Sequence, residues 1–127
     1  MDHPRGPGAE LTVRALYLAF LNSWRGLVHG ARTERAVRLE LVLLILGLPL
    51  GLLLGTSLWV RVALLASLLL MLTAEFLNTA IEKLCDHLHP GHHPKIGIVK
   101  DLASAGTFSA QGIAALIWIA ALIERIG

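Results

Sequence analysis

Glu75, Asn78, Glu82 and Asp86 follow one another at spacings of three, four and four within AEFLNTAIEKLCDHLHPGHHPKIGIVKDLAS, the stretch that starts at Ala74. Such spacing stacks the four side chains on one face of a helix. The stretch begins and ends in apolar sequence of membrane-spanning character. Acids in a spanning segment are costly, so they read as a functional site whose partner must be found. Lys100 is the expected partner.

Glu34, Glu75, Glu82, Asp86 and Asp101 are the acids expected on one membrane face, with Asn78, Lys100 and Ser104 beside them. Hard oxygen donors in this number suit magnesium, which takes one or two protein carboxylates and fills its other positions with water and substrate phosphates. Glu82 and Glu34 form the natural pair. Glu75, deeper in apolar surroundings, is placed to act as general base toward a lipid hydroxyl. Lys100 supplies a point charge for a phosphate, and phosphoryl transfer depends mainly on such positioning and charge stabilisation. Arg14, Asn22, Arg25, Arg38 and Ser104 are donors available near headgroup depth. Neither a GxxxxGK[ST] loop nor the Gly-rich loop with HRD and DFG partners occurs, which excludes the two common kinase classes. The competing account of the acidic row is a set of interhelical salt bridges. For His87, His89, His92 and His93 it is a solvated loop, since HLHPGHH lacks a cysteine partner and regular ligand geometry.

The elements that must carry these residues are helices in a membrane. The chain has 127 residues, 55% hydrophobic and 16% charged, with a mean hydropathy of +0.68, which fits one integral membrane domain and not a soluble one. Six arginines lie at or before Arg38 and three lysines between Lys83 and Lys100, a sorting that speaks of topology and not of nucleic acid. The lone Cys85 excludes an intramolecular disulfide and is expected to pack. Residues 1–9 read as a frayed tail without a cleavable signal. Residues 10–31 carry a cationic stripe opposite Leu16, Phe20, Trp24 and Leu27, the pattern of a helix lying in the membrane interface; a docking helix is the alternative. Uncharged or nearly uncharged runs at 41–60, 62–84 and 102–123 read as three spanning helices, each long enough for about 30 Å of hydrocarbon. A short turn is expected at Thr56 and Ser57, and a loop over DHLHPGHHPKIG, which carries Pro90, Gly91, Pro94 and Gly97. With three spans, the basic N-terminal region and the Lys-bearing loop share one side, the cytoplasmic one. Three spans bury Glu75, Gln111, Ala103, Ala105 and Gly106 within one chain only with difficulty, and small residues favour close helix contact, so an oligomer is expected.

The motif EFLNTAIEKLCD with downstream HP, KD and AS, together with SWRGL at Ser23 to Leu27 and ERAVRLE, closely resembles the prokaryotic diacylglycerol kinase family over most of the chain. The resemblance implies a homotrimer of three-span protomers with an interfacial N-terminal helix, active sites shared between neighbours, and MgATP as donor, in a bacterial inner membrane with the site facing the cytoplasm. By residue match, Glu75 would be the catalytic base with Asn78 in support, and Glu34 and Glu82 the metal ligands. Asn22, Glu34, Glu82, Gly91, His92, His93, Lys100 and Asp101 would contact ATP. Ser23, Trp24, Arg38, Glu75 and Ser104 would contact the lipid. Two positions depart from the pattern: Asn22 stands where an aromatic hydroxyl precedes SW, and Ile98 where the loop has a basic residue. The loop HHPKIGIVKDLAS also resembles the Gram-positive branch that phosphorylates undecaprenol.

The reading is therefore a lipid kinase, with diacylglycerol as the favoured acceptor on the strength of the cationic N-terminal helix and the ERAVRLE match. Undecaprenol is the alternative acceptor, served by a groove along the Leu- and Gly-rich first span. The rival from another class is a small oligomeric transporter with Glu75 as its ion site. The shallow position of Glu75 and the Lys100–Asp101 pair stand against it. A purely structural subunit leaves the acids unexplained.

Overall fold

The computed structural model describes residues 12–127, and these are helical apart from short connections: α1 (Val13–Thr33), α2 (Arg35–Leu54), α3 (Leu58–Leu88) and α4 (Pro94–Ile126). The expected tail at residues 1–9 and the helix start at Glu10 lie outside the described residues. The chain divides into two units, one ending at Glu34 and the other running from Arg35 to Gly127.

In the first unit, Thr12 caps α1 by accepting from the Ala15 N–H at 3.2 Å, satisfying one of the free donors of the first turn. The helix stops at Glu34, whose backbone is extended and whose N–H still reaches the Gly30 carbonyl at 2.9 Å. Leu16 and Phe20 are exposed along the side away from the arginines and Trp24 is exposed at the border of the two faces, the arrangement of an amphipathic helix.

The second unit contains three helices long and apolar enough to cross a membrane. Their ends differ from the apolar runs. The charged segment ahead of the first run is itself helical, so α2 starts at Arg35, and it stops at Leu54, six residues before the expected end. Gly55, Thr56 and Ser57 turn the chain, and Ser57 caps α3 by accepting from the Val60 N–H at 3.3 Å, so 58–60 belong to the second spanning helix. Pro49 sits inside α2, where a neighbouring helix environment makes its missing N–H tolerable. At the other end α3 continues through Leu88, because nothing before Pro90 breaks a helix. The expected twelve-residue loop shrinks to residues 89–93. Pro94 opens α4 at a position where its missing N–H costs nothing, with His93 as the cap.

α3 is the central helix, packed on α2 along one side and on α4 along the other, while α2 and α4 touch little. Gly47 lies against Leu68 and Gly51 against Leu64, which lets the backbones of α2 and α3 approach closely. Val37 and Leu64 are fully buried, and Ala110, Ala114 and Ala121 give α4 a small-residue face. Cys85 is buried as a packing residue. Between α3 and α4, the Trp118 indole N–H donates to Ser67 Oγ at 3.1 Å, and Ser67 donates to the Leu64 carbonyl at 2.7 Å.

Glu75 is 8% exposed within the single chain, so three helices bury it without a partner copy, contrary to the sequence expectation. Ala105, Gly106 and Gln111 do face outward, with nothing near a Cβ built on Gly106.

The Ser67–Trp118 contact yields a test of the α3–α4 seam. Ser67→Ala strands the indole N–H and should cost about 1–3 kcal/mol. Trp118→Phe added to it removes the stranded donor, so the double variant should lose less than the sum of the singles in a detergent unfolding cycle.

Candidate active site

The acidic row emerges on α3 as a continuous polar edge. Thr79 Oγ1 donates to Glu75 Oε1 at 3.3 Å across one turn, and Asn78 Nδ2 donates to Glu82 Oε1 at 3.3 Å across the next. Burial grades along it: Glu75 and Thr79 are buried, Asn78 is half-buried, Glu82 and Asp86 are exposed. At the helical rise of about 1.5 Å per residue the row spans about 16 Å, from a dry end to a wet one. α3 has 31 residues and α4 has 33, longer than about 30 Å of hydrocarbon requires. Their charged ends therefore have room outside it.

Lys100 pairs with the acidic row, at its outermost member. Its Nζ donates to Asp86 Oδ1 at 2.5 Å and ties the start of α4 to the end of α3. With side chains 37% and 62% exposed, this pair holds geometry more than it stabilises the fold. Lys100 also lies within the electrostatic reach of Glu82, so cation and carboxylates share one end of the seam. Asp101 and Ser104 are exposed on the following turns of α4.

In the short connection, Gly91 and His92 are exposed, while His93 is half-buried and committed. Its Nδ1 accepts from the Lys95 N–H at 3.1 Å as the α4 cap, leaving Nε2 for any ligand. The His89 ring meets the His93 ring edge-on at 5.0 Å between centroids, and His89 Nδ1 contacts the Gly91 carbonyl at 3.0 Å. Among the described residues no group of three or more His, Cys, Asp or Glu side chains is placed to hold a metal ion.

The first unit carries Asn22, Ser23 and Trp24, all exposed on α1, and Glu34 at its end. Arg25 donates to Asn22 Oδ1, so Asn22 is held by its own helix. Trp24, Arg25, Val28, His29 and Arg32 wall a shallow groove on the same helix. Glu34 Oε1 accepts from Thr33 Oγ1 at 3.3 Å. Arg38, in the second unit, is exposed on α2.

A groove of about 520 Å³ lies between α2, α3 and α4; Leu43, Leu46 and Gly47 of the Leu- and Gly-rich first span form one wall, Met71, Ala114 and Trp118 the others, with Gln111 as its polar member. One feature escaped sequence reasoning: Glu40, buried at 7% exposure on α2. Its signal was present: Glu40, Leu44, Gly47 and Gly51 recur at spacings of four, three and four, so an acid occupies the packed stripe of α2.

Comparison with known proteins covers nearly all of this architecture. The sequence profile of prokaryotic diacylglycerol kinase matches residues 21–122. The diacylglycerol kinase of Escherichia coli is 32% identical over 105 residues, which is 83% of this chain and 86% of that protein. Those of Haemophilus influenzae and Pseudomonas aeruginosa are 32% and 33% identical over 96 and 101 residues, or 76% and 80% of this chain and 81% and 82% of theirs. The matched region takes in the larger part of α1, the whole acidic row, the Asp86–Lys100 tie and most of α4. With three helices long and apolar enough to cross a membrane, the chain belongs to the prokaryotic diacylglycerol kinase family and is a lipid kinase.

Proposed function

We propose that the chain transfers the γ-phosphate of MgATP to the hydroxyl of diacylglycerol, giving phosphatidic acid. The observation that carries this reading is the graded row on α3, which sets a buried carboxyl, Glu75, one to two turns from an exposed carboxylate and its amide partner, beside the Lys100–Asp86 tie. A lipid hydroxyl is reached from the dry end and a nucleotide from the wet end. The names of the matched relatives support diacylglycerol as the acceptor. The groove walled by Leu43, Met71 and Trp118 offers an acyl chain a path to the level of Glu75.

In this mechanism Glu75 takes the proton of the lipid hydroxyl as its oxygen bonds to the γ-phosphorus, and the bond to the bridging oxygen breaks to leave ADP. Thr79 orients Glu75 through Oε1, and Asn78 does the same for Glu82. Lys100 and Asp101, with His93 through Nε2 and the Gly91–His92 turn, contact the nucleotide, and Asn22 joins them from α1. Ser23, Trp24, Arg38 and Ser104 meet the lipid headgroup. The donor set fits magnesium, a cation content with few protein carboxylates: Glu82 is exposed and keeps one oxygen free of Asn78, and Glu34 would supply a second carboxylate. The ion would neutralise charge on the transferring phosphates.

The enzyme works as a homotrimer with shared sites in the bacterial inner membrane, its acidic row toward the cytoplasm. The outward small residues Ala105 and Gly106 support close contact between copies, and the N-terminal arginines support the orientation.

Purified protein in lipid or detergent should make phosphatidic acid from MgATP and diacylglycerol; no magnesium-dependent ATP turnover with any of several lipid alcohols would remove the kinase mechanism. A catalytic efficiency at least about tenfold higher for a polyprenol than for short-chain diacylglycerol, about 1.4 kcal/mol of transition-state preference, would reassign the acceptor.

The carboxylates separate by role. Glu82→Gln and Glu34→Gln should weaken MgATP binding by about tenfold or more, whereas Glu75→Gln should bind MgATP normally and turn over at least about a hundredfold more slowly. Equal loss of nucleotide binding in all three would refute the assignment.

A further inference from the structure

A second acid lies opposite the proposed base. Gly47 of α2 lies against Leu68 of α3, and Gly51 against Leu64, so four residues forward on α2 match four back on α3. Carrying this antiparallel register seven residues toward the start of α2 brings Glu40 level with Glu75. The carboxyl of Glu40 lies within the electrostatic reach of that of Glu75, in keeping with this register. Both side chains are buried, at 7% and 8% exposure. Glu40 Oε2 is fully enclosed and has no hydrogen-bond partner among the described residues.

The neighbourhood offers little to neutralise two charges. Counting from the Ser67–Trp118 contact in the same way, α4 brings Ala110 and Gln111 to this level, neither of them titratable. On α2 itself the nearest charge is Arg38, two residues back and exposed. Within residues 35–127, Glu75 is therefore the titratable group facing Glu40 from the helices packed against it. Two carboxylates confined together in apolar surroundings do not both ionise, and a buried carboxyl oxygen without a partner is paid for unless it carries or accepts a proton.

We propose that Glu40 is a positioning residue for phosphoryl transfer: it holds a proton and donates it as a hydrogen bond to the Glu75 carboxylate, keeping Glu75 anionic and aimed at the lipid hydroxyl. This rests on Glu75 being the base. The Glu40 proton stays on Glu40 throughout, while Glu75 gains and later releases the substrate proton. Thr79 holds Glu75 from its own helix and Glu40 holds it from α2, so the base is fixed from two directions.

Infrared difference spectra and kinetics on the full chain in lipid test it. At pH 7 the wild type should show the C=O stretch of a protonated carboxyl, and Glu40→Gln should lose it. Glu40→Gln, neutral and still a donor, should keep kcat within about threefold, whereas Glu40→Leu should lower kcat by about 30-fold with KM for MgATP within about twofold. A carboxyl band missing from the wild type or persisting in Glu40→Gln overturns the proposal. So does wild-type kcat in Glu40→Leu, or a loss in Glu40→Gln as large as in Glu40→Leu. Should Glu40→Leu not fold, the infrared comparison decides alone. That comparison needs no turnover, so an inactive wild type would sink the kinase mechanism while the fate of the band still reported on the proton of Glu40.

Discussion

A carboxyl among apolar helices must be held by neighbours that are themselves fixed, because no solvent is present to correct a misplaced partner. In this chain the fixing is done by the seam of α3 with α4. The Asp86–Lys100 tie closes it at the polar end and the Ser67–Trp118 hydrogen bond closes it deep among apolar side chains. Between those two points the register has no freedom to slip, and Glu75, Asn78 and Glu82 keep their depths. The glycines of α2 then let a third helix approach the other side of α3 and seal Glu75 from lipid.

The row on α3 was legible in the sequence because helical periodicity alone dictates it, and the observed hydrogen bonds follow the spacing of four. Three apolar helices were legible for the same reason. Their ends were not, since hydropathy marks what lies in hydrocarbon and not where a helix stops. Capping decides that: Ser57 starts α3 inside an apolar run, and Pro94, which looks like a breaker, is the first residue of α4. The pairing of Lys100 with the acidic row was legible too, though not which acid it takes: a lysine on α4 reaches the acid at the wet end of α3, and that acid is Asp86. Glu40 was hidden by its company, three arginines and a glutamate within eight residues, which made it one more charge in a polar segment. Only its phase relative to Gly47 and Gly51 distinguishes it. The α1 helix itself was legible through its amphipathic pattern.

The central place of α3 has a kinetic meaning. α2 packs on α3 and α3 on α4, each pair joined by a connection of a few residues, and α2 and α4 touch little. Nearly every tertiary contact in this unit therefore joins consecutive helices. A topology of that kind has low contact order and pays little loop-closure entropy before its contacts form. The hairpin of α2 and α3 can close as soon as both helices are in the bilayer, bringing Glu40 and Glu75 together before α4 has been made. The buried acids would then be matched with each other from the first step of assembly, and the lipid would never have to accommodate either of them alone.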